Sequence, residues 1–272
     1  MIFKLMRHCF WIAVLVLSPI SLTFADQNKA LVNSINGEQR GEQNRARDKA
    51  RHPQKTLEFF DVKSNGVVLE VWPGKGWYTE ILAPYLKQNG GHFIAAGFPL
   101  HAGPQWRQDM QQRYQDYLAG MPSHYDEVSF VEIGPPSFWK LGKDNSVDTV
   151  LTFRNVHNWV KGGYEKEMFH ALYQVLKLGG VLGVVEHRAK PSTDIEAMKQ
   201  SGYMTEQAVI ELAQQAGFVL EDRSEINANS KDTKNHPKGV WTLPPTLRLG
   251  NENQERYLAI GESDRMTLKF RK

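Results

Sequence analysis

The stretch Glu70-Val71-Trp72-Pro73-Gly74-Lys75-Gly76-Trp77-Tyr78-Thr79 constrains the fold of this chain more than any other. The apolar run Val67-Val68-Leu69 before it predicts a strand, and Glu80-Ile81-Leu82-Ala83 after it predicts the start of a helix. A strand that ends in an acid and turns through two alternating glycines into a helix brings backbone N–H groups close to a ligand, because glycine lacks a Cβ. That is a nucleotide-type cofactor loop. The dinucleotide fingerprint asks for a third glycine three residues after Gly76, where Thr79 stands, so a dehydrogenase is disfavoured.

The N-terminus bounds the chemistry. Lys4, Arg7 and His8 precede an apolar run from Cys9 to Leu17, and Ser18 to Ala25 follow, with Thr23 and Ala25 placed for cleavage. This is the three-part pattern of a secretory signal peptide over residues 1–25. The run is short for a membrane span and Pro19 follows it, so the expectation is export to the periplasm with no stable membrane span after cleavage. Removing Lys4 and Arg7 from the 33 basic residues leaves 31 against 30 acidic ones, which makes no case for nucleic acid. The single cysteine, Cys9, leaves with the signal, so no disulfide or thiolate remains. Chemistry then falls to His, carboxylates, Tyr, Asn, Arg, Lys or a bound cofactor.

Residues 26–60 read as an N-terminal helical arm ahead of one domain at 61–272. Arg40, Arg45, Arg47, Lys49 and Arg51 interleave with Glu38, Glu42 and Asp48, which predicts a helix up to His52, ended by Pro53. Most of these charges are expected on a solvated face. Arg51-His52-Pro53 is the exception, because the arm lies just ahead of the glycine loop and is placed to fold over it. Strands are expected at His92–Ala96, Glu127–Val131, Asp148–Phe153 and Val181–Glu186, with helices at Tyr78–Lys87, Trp106–Leu118, Tyr164–Lys177 and Thr205–Ala216. Repeated βα units of this length favour a mostly parallel sheet covered on both faces. Phe218–Ile226 and the alternating Met266, Leu268 and Phe270 read as two further strands, pairing antiparallel at the far edge. Between them, Asn227–Asp232 and Trp241-Thr242-Leu243-Pro244-Pro245 read as a long ordered loop.

Together with three motifs, this order of elements resembles a class I S-adenosylmethionine-dependent methyltransferase. The motifs are Glu70 to Thr79, Thr152-Phe153-Arg154-Asn155-Val156-His157-Asn158-Trp159, and Leu176-Lys177-Leu178-Gly179-Gly180 running into Val184-Val185-Glu186-His187. The chain is most similar to a family of bacterial proteins, many of them exported, described as predicted methyltransferases, and the resemblance covers roughly residues 45–272. It implies a Rossmann-like α/β fold: a seven-stranded, mostly parallel sheet with an antiparallel last strand and helices on both faces. It also implies methyl transfer from S-adenosylmethionine to a small molecule. Glu70, Gly74 and Gly76 carry over to the methionine end of that cofactor, with Pro73, Tyr78 and Thr79 completing the candidate loop. Trp72 stands where most such enzymes have their first glycine, so its ring must point into the core, stack on the cofactor or narrow the pocket. In addition, the strand His92–Ala96 ends in Gly97-Phe98-Pro99, with no acid for the ribose hydroxyls, and a carboxylate gripping that diol is a large part of ordinary cofactor recognition.

Ligands of open parallel sheets sit outside the carboxyl ends of the strands, which places His157, after the fourth strand, and His187, after the fifth, beside one pocket. Methyl transfer to oxygen or nitrogen needs an in-line nucleophile and a base near neutral pH, and histidine fits. His157 is the expected base, Arg154, Asn155 and Asn158 are expected to position the substrate, and Glu186 or His187 to assist. Structural roles compete: a histidine at a strand end serves as hydrogen-bonded scaffold, Trp159, Trp77 and Tyr78 as packing, and Tyr203 as packing beside the Thr205 cap. His52, His157, Glu186 and His187 form an acceptable N/O set for a divalent ion if they converge, but no pair has HExxH spacing, and no metal is assigned. His101 and His236 are expected in exposed loops. Three functions follow in order: a small-molecule methyltransferase, an exported ligand-binding protein with lost or altered cofactor use, and a metal-dependent hydrolase. Nothing in the sequence specifies an oligomeric state.

Overall fold

The computed structural model describes residues 24–272. The expected signal peptide and Cys9 lie outside the described residues, apart from Phe24 and Ala25, which begin the first helix. Four helical segments open the described chain: α1 Phe24–Ile35, α2 Glu42–Arg45, α3 Asp48–Arg51 and α4 Pro53–Phe59. The single helix expected up to His52 is therefore broken. Pro53 disfavours helical backbone at His52, which takes a left-handed φ of 43°, and then starts α4 at its first turn, where the missing N–H has no cost.

Next come β1 Val67–Val71, α5 Thr79–Lys87, β2 His92–Gly97, α6 Gln105–Ala119, α7 Pro122–Tyr125 and β3 Ser129–Glu132. They are followed by β4 Val147–Phe153, α8 Val156–Gly162, α9 Glu165–Val175 and β5 Leu176–His187. The last third holds α10 Ile195–Ser201, α11 Glu206–Gln215, β6 Val219–Ser224, a 3-10 turn at Gly239–Thr242, α12 Gln254–Ile260 and β7 Arg265–Arg271. No described helix is long and apolar enough to cross a membrane.

One seven-stranded sheet runs in the order β3-β2-β1-β4-β5-β7-β6. Strands β1 to β5 pair in parallel, while β7 is antiparallel to both β5 and β6. This is the Rossmann-like class I methyltransferase fold, with the edge pair where the alternation in 265–270 puts it. The Gly179-Gly180 turn differs from expectation: β5 begins earlier, with Leu176 opposite Val147, and the register then jumps to Val181 opposite Thr149. Lys177 to Gly180 form an irregularity within the strand, and Gly179 absorbs it at φ 74°.

Strands β1 and β4 are buried on both faces, as apolar runs such as Val150-Leu151 require of central parallel strands. On one face Leu69, Trp159, Met168, Phe169, Leu172 and Leu268 pack together; on the other lie Val68, Leu82, Leu86, Leu151, Leu57 and Phe60. Leu57 and Phe60 come from α4 and the residue after it, so the first helices complete a core face. Gly183 in β5 permits this, because a Cβ there would sit 2.7 Å from the Phe60 ring.

Candidate functional site

A crevice of about 350 Å³ opens at the carboxyl ends of β1, β4 and β5. Successive connections run to opposite sides of the sheet between β1 and β4, the switch point at which α/β folds bind ligands. The glycine loop forms one wall. Gly74 and Gly76 take φ of 63° and 81°, and no atom lies within 4 Å of the position a Gly74 Cβ would occupy, so this backbone is bare toward the crevice. Glu70 is buried at the end of β1 and accepts a 3.1 Å hydrogen bond from the Thr79 hydroxyl. Burial pushes the Glu70 carboxyl up to about 8, against the opposing effects of Thr79, Arg51 and Arg154. Pro73 and Tyr78 also line the crevice, and the Tyr78 ring stacks on Phe153 at 3.6 Å.

Trp72 resolves its three alternatives by turning into the core. Its φ is 47°, the left-handed conformation a glycine would adopt, and its indole Nε1 donates to the Ile133 carbonyl at 3.0 Å. The ring lies 4.5 Å from Phe98, with Trp159 and Tyr164 each at 6.2 Å and the Arg107 guanidinium 5.2 Å above it. The end of β2 is closed as well. Gln111 accepts from the Phe98 N–H at 3.1 Å, and its side chain fills the space in which a Cβ on Gly97 would sit.

The opposite wall carries the histidines. His157 stands in the first turn of α8 with Nδ1 2.9 Å from Glu186 Oε1. Glu186 is fully buried and accepts the backbone N–H of His187 at 2.8 Å and of His157 at 3.2 Å. A carboxylate that already accepts two backbone N–H groups is the acceptor for the ring as well, so Nδ1 of His157 carries the proton and Nε2 is left as the basic nitrogen. The His187 ring is 5.3 Å away, held by Ser263 Oγ at 2.6 Å. Burial, reinforced by His157 and Arg154, drives the His187 imidazole well below its ordinary value, so it is neutral.

Asn155 lines the crevice, and its side chain is also tied to the sheet. Its amide donates to the Val71 carbonyl at 2.9 Å and to Thr152 Oγ1 at 3.2 Å, which ties β4 to β1. Arg154 follows β4 at φ 62°, its N–H bonded to the Val185 carbonyl at 2.7 Å. Left-handed backbone at a non-glycine residue costs about 1–3 kcal/mol, and it occurs here at Arg154 and, across the crevice, at Trp72. Asn158 lines the same wall.

The arm does fold over the loop. Asn44 accepts from the Trp77 indole at 3.0 Å, and Arg40 and Arg51 lie 5.0 and 4.6 Å from the Trp77 ring. Arg51 is buried and reaches Glu262, which also takes Arg47 Nε at 2.7 Å and Arg265 at 3.2 Å. Burial alone would raise the Glu262 carboxyl; Arg265, Arg51 and Arg47 instead hold it at about 2. Arg47, Trp241 and Glu262 were not among the expected site residues. The arm's basic run and the tryptophan in the long loop were visible signals, whereas Glu262 sits in no recognisable motif.

His157, Glu186 and His187 offer ligand atoms within 4.8 Å of one another; His52 is not in the group. The donor set suits a proton better than a cation, because Glu186 Oε1 is already shared by His157 and the His187 N–H and Arg154, Arg265 and Arg51 act on His187. Tyr203 is buried on Asp232 at 2.9 Å, and His101 is exposed. His236, expected to be exposed, instead has a buried imidazole 2.8 Å from Asp232.

No protein-family model and no curated protein matches this chain. Solved structures do. The chain is similar to an SAM-dependent methyltransferase from Aquifex aeolicus at 18% identity and TM-score 0.53, over 67% of this chain and 87% of that one. It is similar to the [4+2]-cyclase SpnF at 17% identity and TM-score 0.58, over 90% and 92% of the two chains. An SAM-dependent methyltransferase from Methanosarcina mazei matches at 12% identity and TM-score 0.52, over 79% and 96%. At these identities the likeness is one of fold.

Proposed function

We propose that this protein is an enzyme acting on a small molecule held in the crevice, with His157 as the proton acceptor. The observation that carries this reading is the buried Glu186 carboxylate 2.9 Å from His157 Nδ1, which fixes the tautomer and leaves Nε2 for a substrate proton. A carboxylate that orients a histidine base is the logic shared by unrelated hydrolytic triads, and a positioned base contributes about 10²–10⁴ in rate. The test is mass spectrometry of pooled small molecules incubated with the wild-type chain or with His157→Gln. A conversion lost in the variant is expected; one that proceeds unchanged in it refutes the reading.

Methyl transfer from S-adenosylmethionine to that small molecule is the second reading, supported by the fold shared with SAM-dependent methyltransferases and by Glu70, Gly74 and Gly76 in the loop. The residues at the adenosyl end do not fit this cofactor. Trp72 and Gln111 fill the space beside Phe98, and no acid follows β2 to take the ribose diol. Calorimetry with S-adenosylhomocysteine separates the readings: heat of binding that saturates supports methyl transfer, and none at millimolar ligand removes it. Export through residues 1–25 is proposed alongside, on the charged, apolar and small-residue pattern of that segment.

A further inference from the structure

The crevice holds more positive charge than the protein neutralises. Arg47, Arg51 and Arg265 share one carboxylate, Glu262, and Arg51 meets it only through Nε at 3.4 Å. The Nη1 and Nη2 groups of Arg51 donate no hydrogen bond to any described residue, although the side chain is 3% exposed. Arg154, on the facing wall, has neither a side-chain hydrogen bond nor an ion pair among the described residues. Burial raises the carboxyl of Glu70, the remaining acid of this wall, to about 8, and its Oε2 already accepts from Thr79, which weakens it as a counter-charge. A buried guanidinium without an anion is costly, and its planar fork matches the oxygens of a carboxylate or phosphate.

We propose that the crevice is an oxyanion site, in which Arg51 and Arg154 grip the carboxylate or phosphate group of a compact substrate whose reacting end faces His157. This rests on the crevice being the substrate site of the proposed enzyme. Size agrees with charge: the space of about 350 Å³ is at the small end for ligand pockets, and it does not extend past Trp72 to the end of β2. The ligand is thus a small acid or phosphate ester with its neutral part against Trp241 and the glycine loop.

Calorimetric titration of the full chain with inorganic phosphate, malonate, its uncharged analogue malonamide and S-adenosylhomocysteine tests this. Phosphate or malonate is expected to bind and malonamide to bind at least ten-fold more weakly. Arg154→Gln is expected to weaken the anion at least ten-fold and Arg154→Lys by less, with unchanged circular dichroism showing that both fold. Equal binding of malonamide overturns the proposal, as does unchanged anion affinity in Arg154→Gln. Competition between phosphate and S-adenosylhomocysteine also overturns it, by assigning the guanidiniums to the methionine carboxylate of a methyl donor. Because binding is read without turnover, His157→Gln separates the two ideas: retained malonate affinity with lost conversion supports both, and retained affinity with retained conversion removes only the base.

Discussion

His157 Nδ1 and Glu186 Oε1 are 2.9 Å apart, and the carboxylate has no exposed surface. The pair bridges β5 and α8, so the register of β4 against β5 sets its geometry. Glu186→Gln keeps the shape but replaces an acceptor with an amide that cannot accept from Nδ1 and both backbone N–H groups. A loss of about 10²-fold or more in kcat is expected, with a smaller change in KM. Steady-state kinetics on whichever substrate the screen yields checks this, and an equal loss in both parameters argues for a merely structural contact.

Trp72→Gly tests the plug at the end of β2. Emptying a core tryptophan site costs about 3–5 kcal/mol, and glycine recovers part of that by removing the strain of φ 47°. The variant is expected to unfold at lower denaturant and to bind S-adenosylhomocysteine better than the wild type does. Urea unfolding and calorimetry measure the two effects. A more stable variant with no gain in binding contradicts the placement of the indole.

The buried acids predict two limbs of pH dependence. Glu70 is raised to about 8, so the folded state binds its proton more tightly than the unfolded chain; its contribution is full below the ordinary carboxylate value near 4.5 and is lost as pH rises to about 8. Glu262 is depressed to about 2, so its contribution is present above 4.5 and is lost as pH falls toward 2. Glu70→Gln is expected to flatten the alkaline limb alone. Melting temperatures from pH 3 to pH 9 read this out, and an alkaline limb unchanged in the variant contradicts it.

Gly183→Ala places a methyl group 2.7 Å from the Phe60 ring in a core with no slack. Overpacking of this kind costs about 1–3 kcal/mol. Denaturant unfolding is expected to show that loss, partly relieved by adding Phe60→Leu, because Leu151 Cδ2 also lies 2.8 Å from the new methyl group. Additive effects of the two substitutions would show that the ring and the strand are not in register as described.

The sheet was legible because its signals are periodic and local. The Val67–Leu69 run, the strand at 148–153 and the alternation of Met266, Leu268 and Phe270 each fall on a strand of the structure. The glycine loop and both histidines were legible for the same reason, as they sit at strand ends. What stayed hidden depends on contacts distant in sequence. Glu262 meets Arg47 across 215 residues, and Trp72 gives no local sign that Phe98 and Tyr164 will receive its ring. The break in the arm at His52 is not legible in the sequence, because Pro53 serves equally as a stop and as a first helical residue.

Nitrogen-15 NMR of the histidine-labelled full chain reads the ring of His157 without any substrate. In its neutral form the ring is expected to carry its proton on Nδ1 and leave Nε2 bare, and Glu186→Ala, which removes the acceptor, is expected to abolish this preference. A neutral His157 ring protonated on Nε2, or one indifferent to Glu186→Ala, would contradict the role given to Glu186.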